Sequence, residues 1–89
     1  MRKDIEVIRE YCPKVKRYVI RTDSYGCSLG FLNMLFEEAK KDFPNLKTEE
    51  AFIKNYAGVR YARTFGIEFQ VEGSVPEGYR DIPNLEYTL

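Results

Sequence analysis

The stretch RTDSYGCSLGF, residues 21–31, gathers an aspartate, two serines, a tyrosine, a cysteine and two glycines between a β-branched run and a run with helical spacing. Asp23 stands where a strand would end, the usual place for ligand sites in open α/β sheets. Ser24 and Ser28, interleaved with Gly26 and Gly30, would turn backbone N–H groups towards an anion at the start of the next helix. Cys27, close to the same helix terminus, would be favoured as a thiolate. The same residue types also build an ordinary strand-to-helix joint. Asp23 or Ser24 would then satisfy the turn, Ser28 would cap the helix and Cys27 would fill a small buried volume. The spacing matches no phosphate loop such as G-x-x-x-x-G-K, so a plain joint is the expected role and a ligand turn the alternative.

The sequence has no histidine. Ser-His-Asp and Cys-His nucleophile arrangements therefore cannot be assembled from it, and neither can a His-ligated zinc site. Two cysteines, Cys12 and Cys27, are too few for a structural zinc site, and their spacing suggests neither a metal nor a redox pair. We expect free thiols, no metal and no cofactor. Carboxylates, lysines and tyrosines are left as acid–base groups. A small enzyme built on Asp23 and Cys27 is the weakest functional reading.

A second group of residues is basic and aromatic. KVKRYVIR and GVRYARTFG each mix Lys or Arg with Tyr or Phe. On neighbouring strands, Lys16, Arg17, Arg21, Arg60 and Arg63 would share a face with Tyr18 and Tyr61. Cations on phosphates and rings stacked on bases would suit single-stranded RNA or DNA. The competing reading is a solvated strand face with tyrosines at the core rim. No RNA-binding signature accompanies the residues, so nucleic-acid binding stands as the alternative function. Arg63 interrupts an otherwise apolar parity. It belongs either at an exposed strand end or beside a carboxylate such as Asp23.

These residues must be positioned by a small scaffold. At 89 residues the chain has room for one core, and we expect a single domain over 1–89. Its compact part is 1–72, followed by a tail at 73–89 with Pro and Gly in loop positions. Residues 3–11 carry Ile5, Ile8 and Cys12 at helical spacing, which predicts a short helix stopped by Pro13. Residues 14–22 read as a strand inside a sheet, because adjacent Val19 and Ile20 cover both faces. Residues 29–43 are the clearest helix, with Leu32, Leu35, Phe36, Ala39 and Phe43 on one stripe and Phe31 and Met34 widening it. The apolar arc spans roughly 220°, against the ~100° that a one-sided surface helix needs. Residues 48–57 fit a helix capped by Thr48 or a strand, with the helix preferred. Residues 59–72 alternate as β structure, and a length beyond the usual 5–6 or so residues implies a bend or bulge near Gly66, or a turn before it. Leu85, Tyr87 and Leu89 alternate as a short closing strand or a clamp over the core.

The expected architecture is α+β, with two to three helices packed on one face of a small, mostly antiparallel β-sheet. Fourteen basic and fourteen acidic side chains cancel, so no global field points to nucleic acid or membrane. No run reaches the ~18 apolar residues of a membrane span, and no secretory h-region follows the basic start, so we expect a cytoplasmic protein. The surplus apolar arc and the sheet edges point to a non-enzymatic binding protein that contacts another protein as an inhibitor or modulator, and that self-associates into a homo-oligomer. Its expected interface includes Phe31, Met34, Tyr61 and Arg63. Size, single domain and abundant Tyr and Phe give it the general look of small accessory proteins carried by phages and mobile elements, on composition alone.

Overall fold

The first described strand, Val7–Cys12, carries partly or fully buried side chains on both parities and so belongs to a sheet with two occupied faces. The computed structural model describes residues 7–22, 29–56 and 64–87. β1 (Val7–Cys12) and β2 (Arg17–Thr22) form an antiparallel hairpin. Its turn opens with Pro13, whose fixed φ suits that position, and closes at Lys16 in the left-handed region at φ 55°. Then come α1 (Leu29–Asp42), a 3-10 turn at Thr48–Glu50, β3 (Phe52–Tyr56), β4 (Thr64–Phe69) and β5 (Arg80–Asp81). The strand order is β3-β4-β2-β1-β5. All pairings are antiparallel except β1 with β5, so the sheet is mixed.

This corrects the expectation of two to three helices on a mostly antiparallel sheet. The described chain has one α-helix, and a five-stranded sheet dominates it. The expected helix over 3–11 is β1 from Val7 onwards, and its earlier residues lie outside the described segments. Both faces of β1 are covered, so apolar residues fall on both parities and imitate helical spacing. The expected helix over 48–57 is only a 3-10 turn before β3. A nine- or ten-residue helix is marginal by itself, and the ladder offered by β4 outweighs its local preference.

Val7, Arg9 and Tyr11 of β1, Tyr18 and Ile20 of β2, and Ile67 and Phe69 of β4 face α1. Leu35 and Ala39 are fully buried against Tyr18, Ile20, Ile67 and Phe69, with Leu46 closing one end. Tyr18 is the hub of an aromatic cluster: its ring lies 4.6 Å from Tyr11, 4.8 Å from Phe43, 5.2 Å from Tyr79 and 5.6 Å from Phe69. Offset and edge-on contacts of this kind add about 0.5–1.5 kcal/mol per pair to area burial. Arg9 fixes the helix azimuth, donating to Asp42 at 2.8 Å and Glu38 at 3.0 Å. Tyr79 holds Asp42 from the other side at 2.8 Å.

Gly66 does not produce a bulge. β4 keeps regular register through it, opposite Arg21 on one side and Lys54 on the other. A Cβ there would sit 2.7 Å from Arg21 Cβ and 3.0 Å from the Tyr56 ring. The glycine is there for close approach of neighbouring side chains rather than for a bend.

Candidate interaction surface

The sheet face opposite α1 is built from charge. Glu10 of β1, Arg17 and Arg21 of β2 and Glu68 of β4 all project onto it, because they share one parity across the registers Glu10↔Val19 and Val19↔Glu68. Arg21 donates through Nε to Glu10 at 2.9 Å, and Arg80 of β5 reaches the other Glu10 oxygen. Arg17, Tyr56 and Tyr87 all donate to Glu68, which is fully buried. Burial pushes both carboxyls up, but the donors outweigh it and hold each below the ordinary carboxylate value. Burial and the Glu68 charge push the Tyr56 hydroxyl far up, and Tyr87 is pushed up to about 12, by burial first and then by its bond to Glu68. Both carboxylates are thus favoured in the ionised form, and each accepts hydrogen bonds at both of its oxygens.

The C-terminal segment straps this face. It leaves β5 at one sheet edge, where Ile82 N–H donates to Tyr11 C=O, and passes Cys12, whose thiol lies 3.8 Å from Pro83 C=O. It reaches the opposite edge at Tyr87, which makes an antiparallel bridge with Tyr56. A cavity of about 250 Å³ remains beneath it, lined by Glu10, Arg21, Tyr56, Arg80 and strap residues 82–86. Among the described residues Arg21 Nη1, Asn55 Oδ1 and Thr64 Oγ1 are buried without a hydrogen-bond partner. Arg21, whose Nη1 has no partner, is one of the residues that line that cavity.

The outer edge of β3 differs in kind. The strand pairs with β4 on one side only, and Tyr87 covers the other side at Tyr56. From Phe52 to Asn55 no described residue pairs with that edge. Phe52 and Ile53 are 57% and 56% exposed, the two most exposed large apolar side chains among the described residues. They point to opposite faces of the sheet, so the edge presents oily surface above and below. Beside Phe52 lies a second cavity of about 250 Å³, lined by Arg17, Glu50, Phe52, Glu68, Phe69 and Gln70.

The residues singled out from sequence fall as follows. Phe31 and Met34 are half-buried and pack on the chain's own core, as do Leu32, Phe36 and Phe43. Among the described α1 side chains none is an exposed large apolar one, and the stripe packs on the sheet while its flanks stay half-buried. Tyr18 is buried in the aromatic cluster and offers no ring for stacking. Arg17 and Arg21 are each engaged by a glutamate, while Lys16 sits exposed in the hairpin turn. Asp23, Ser24, Cys27 and Ser28, and likewise Arg60, Tyr61 and Arg63, lie outside the described residues. The sequence does not single out Phe52 and Ile53, because residues 48–57 fit a helix as well as a strand and the preferred helix gives neither residue an edge position. Nor does it reveal the Glu10 and Glu68 networks, because alternating charge on β-strands ordinarily marks a solvated face. The available signal was the matched Arg and Glu on one parity of three strands. No described helix is long and apolar enough to cross a membrane.

No family model matches the chain, and neither a curated protein nor a solved structure matches it.

Proposed function

We propose that this protein acts by contact with another protein, as a non-enzymatic modulator or inhibitor, and that the contact surface is the outer edge of β3. The observation that carries this reading is the conjunction on one short strand of unpaired edge backbone with Phe52 and Ile53, each more than half exposed. An edge strand offers a row of N–H and C=O groups that an extended segment of another chain can complete. Natural edges are normally blunted by lysine, proline or a bulge, and this one carries only Lys54 between its apolar pair and Asn55. The partner adds a strand, with main-chain bonds supplying affinity and contacts to Phe52 and Ile53 supplying selectivity.

The test is selection of random peptides displayed on phage against the wild-type protein, with amide chemical shifts mapping where they bind. Support is a set of extended, alternating apolar peptides that perturb amides 52–55 and fail to bind Phe52→Lys and Ile53→Lys. Both positions are exposed, so the variants should fold. Peptides that bind the variants equally well, that perturb another surface, or that never emerge overturn the reading.

A further inference from the structure

We propose that the cavity beneath the strap binds a small monocarboxylate with an apolar body, about the size of benzoate, and that Arg21 holds its carboxylate. Two independent observations meet there. The first is an unused donor. Arg21 lines the cavity, its side chain is more than nine-tenths buried, and its Nη1 has no partner among the described residues. Glu10 grips the Nε and Nη2 side of the guanidinium at 2.9 and 3.4 Å. Nη1 lies across the planar group from that edge. With the second hydrogen of Nη2 it makes the end-on fork that a second carboxylate fits bidentately.

The second is charge and size. Arg80 closes on the same Glu10, so two guanidiniums stand against one carboxylate and the cluster keeps a positive charge in excess. A neutral acceptor would satisfy Nη1 alone, whereas a carboxylate satisfies both the donor and the charge. Glu86, the other acid in the lining, is exposed on the strap and screened by solvent. Val19, Ile82, Pro83 and Leu85 supply apolar wall. The volume of about 250 Å³ lies below the ~300 Å³ at which pockets for drug-sized ligands begin and above the ~150 Å³ that admits benzene. One ring or a short chain fits between those limits. Nη1 is closed from solvent in this structure, so the ligand enters as strap residues 83–86 lift between their backbone anchors at Ile82 and Tyr87. The site shares no residue with the open β3 edge at 52–55, so its failure leaves the edge-contact reading untouched.

The test is titration of sodium benzoate into the wild-type protein to tens of millimolar, with backbone amides and arginine Nε–H signals followed by NMR. Benzamide serves as the uncharged counterpart. Benzoate should give saturable shifts at residues 10, 21, 80 and 82–86, and should bind at least about tenfold more tightly than benzamide. Arg80→Gln, at a side chain 68% exposed, should fold and should weaken benzoate at least about threefold by removing the excess charge. Glu86→Gln should tighten it about twofold. Arg21→Lys keeps a charge opposite Glu10 but lacks Nη1, and should abolish binding. Thermal melting shows whether that variant folds, and Arg80→Gln carries the test if it does not. A hexapeptide ending in phenylalanine presents a carboxylate and a ring on a longer frame, and should bind the cavity more weakly than benzoate. A cavity that holds only water gives no saturable shift, and that result overturns the inference. So do shifts confined to other surfaces, equal affinity for benzamide, tighter binding of the peptide, or an Arg80→Gln variant that binds benzoate as wild type does.

Discussion

Arg21 and Glu10 meet on adjacent strands with Nε 2.9 Å from Oε1, and both side chains are more than nine-tenths buried. Two charges removed from water are tolerated because they face one another: Glu10 accepts from Arg21 Nε and Nη2, Arg80 closes on the carboxylate from the sheet rim, and Arg21 Nη1 alone is left unpaired.

Breaking this pair on one side should therefore cost more than removing it whole. Glu10→Ala leaves a buried, uncompensated guanidinium, and we expect a loss of about 3–5 kcal/mol in urea unfolding. Arg80, with a side chain 68% exposed, should cost under about 1 kcal/mol when changed to alanine. Glu10→Leu with Arg21→Met, an apolar replacement of similar volume, should lie within about 2 kcal/mol of wild type. Equal losses for Glu10→Ala and Arg80→Ala would refute this account of the network.

Two glycines should respond with opposite signs. Gly66→Ala drives a methyl into Arg21 and Tyr56 and should destabilise by about 1–3 kcal/mol. Gly30, on α1 with open space around it, should be neutral or gain up to about 1 kcal/mol as alanine. Midpoints from chemical denaturation at constant slope make the comparison.

Leu35 is fully buried between α1 and the sheet. Leu35→Ala should cost about 2–5 kcal/mol through lost burial and the cavity left behind. Phe52→Ala, on the exposed edge, should leave monomer stability within about 0.5 kcal/mol. A comparable loss at both positions would mean that Phe52 belongs to the core.

Acid should unfold the protein through Glu10, Glu68 and Glu38. Arg21 and Arg80 hold Glu10 below the ordinary value of 4.5 against the cost of burial; Tyr87, Arg17 and Tyr56 do the same for Glu68. For Glu38 the salt bridge from Lys41 is the largest cause, and Arg9 adds to it. A carboxyl lowered in the folded state contributes stability that is present above its unfolded value and is lost as pH falls through its folded value. Stability should thus decline as pH drops below about 4.5. Glu68→Gln should flatten part of that decline. At the alkaline end Tyr87, raised from 10.0 to about 12, contributes stability that is full below pH 10 and is lost as pH rises through about 12. Unfolding free energy measured against pH checks both limbs.

Local signals decided those elements whose burial is one-sided or whose spacing is long. Helix α1 is legible because its stripe from Leu32 to Phe43 repeats over several turns. β4 is legible because Phe65, Ile67 and Phe69 alternate with polar neighbours. The absence of histidine limits the available chemistry wherever the chain folds. What the tertiary structure decided is everything that depends on which strand lies beside which. β1 resembles a helix in sequence because a strand buried on both faces loses its alternation, and only the neighbours β2 and β5 reveal it. β3 needed β4 to outcompete a marginal helix, and with that choice Phe52 and Ile53 moved onto an open edge. Glu10 and Glu68 resemble solvated charges until pairing brings Arg21, Arg80 and Arg17 to them and the strap closes over the face. Periodicity records what one element buries, whereas register and strand order arise from contacts between residues far apart in the chain, which no local pattern encodes.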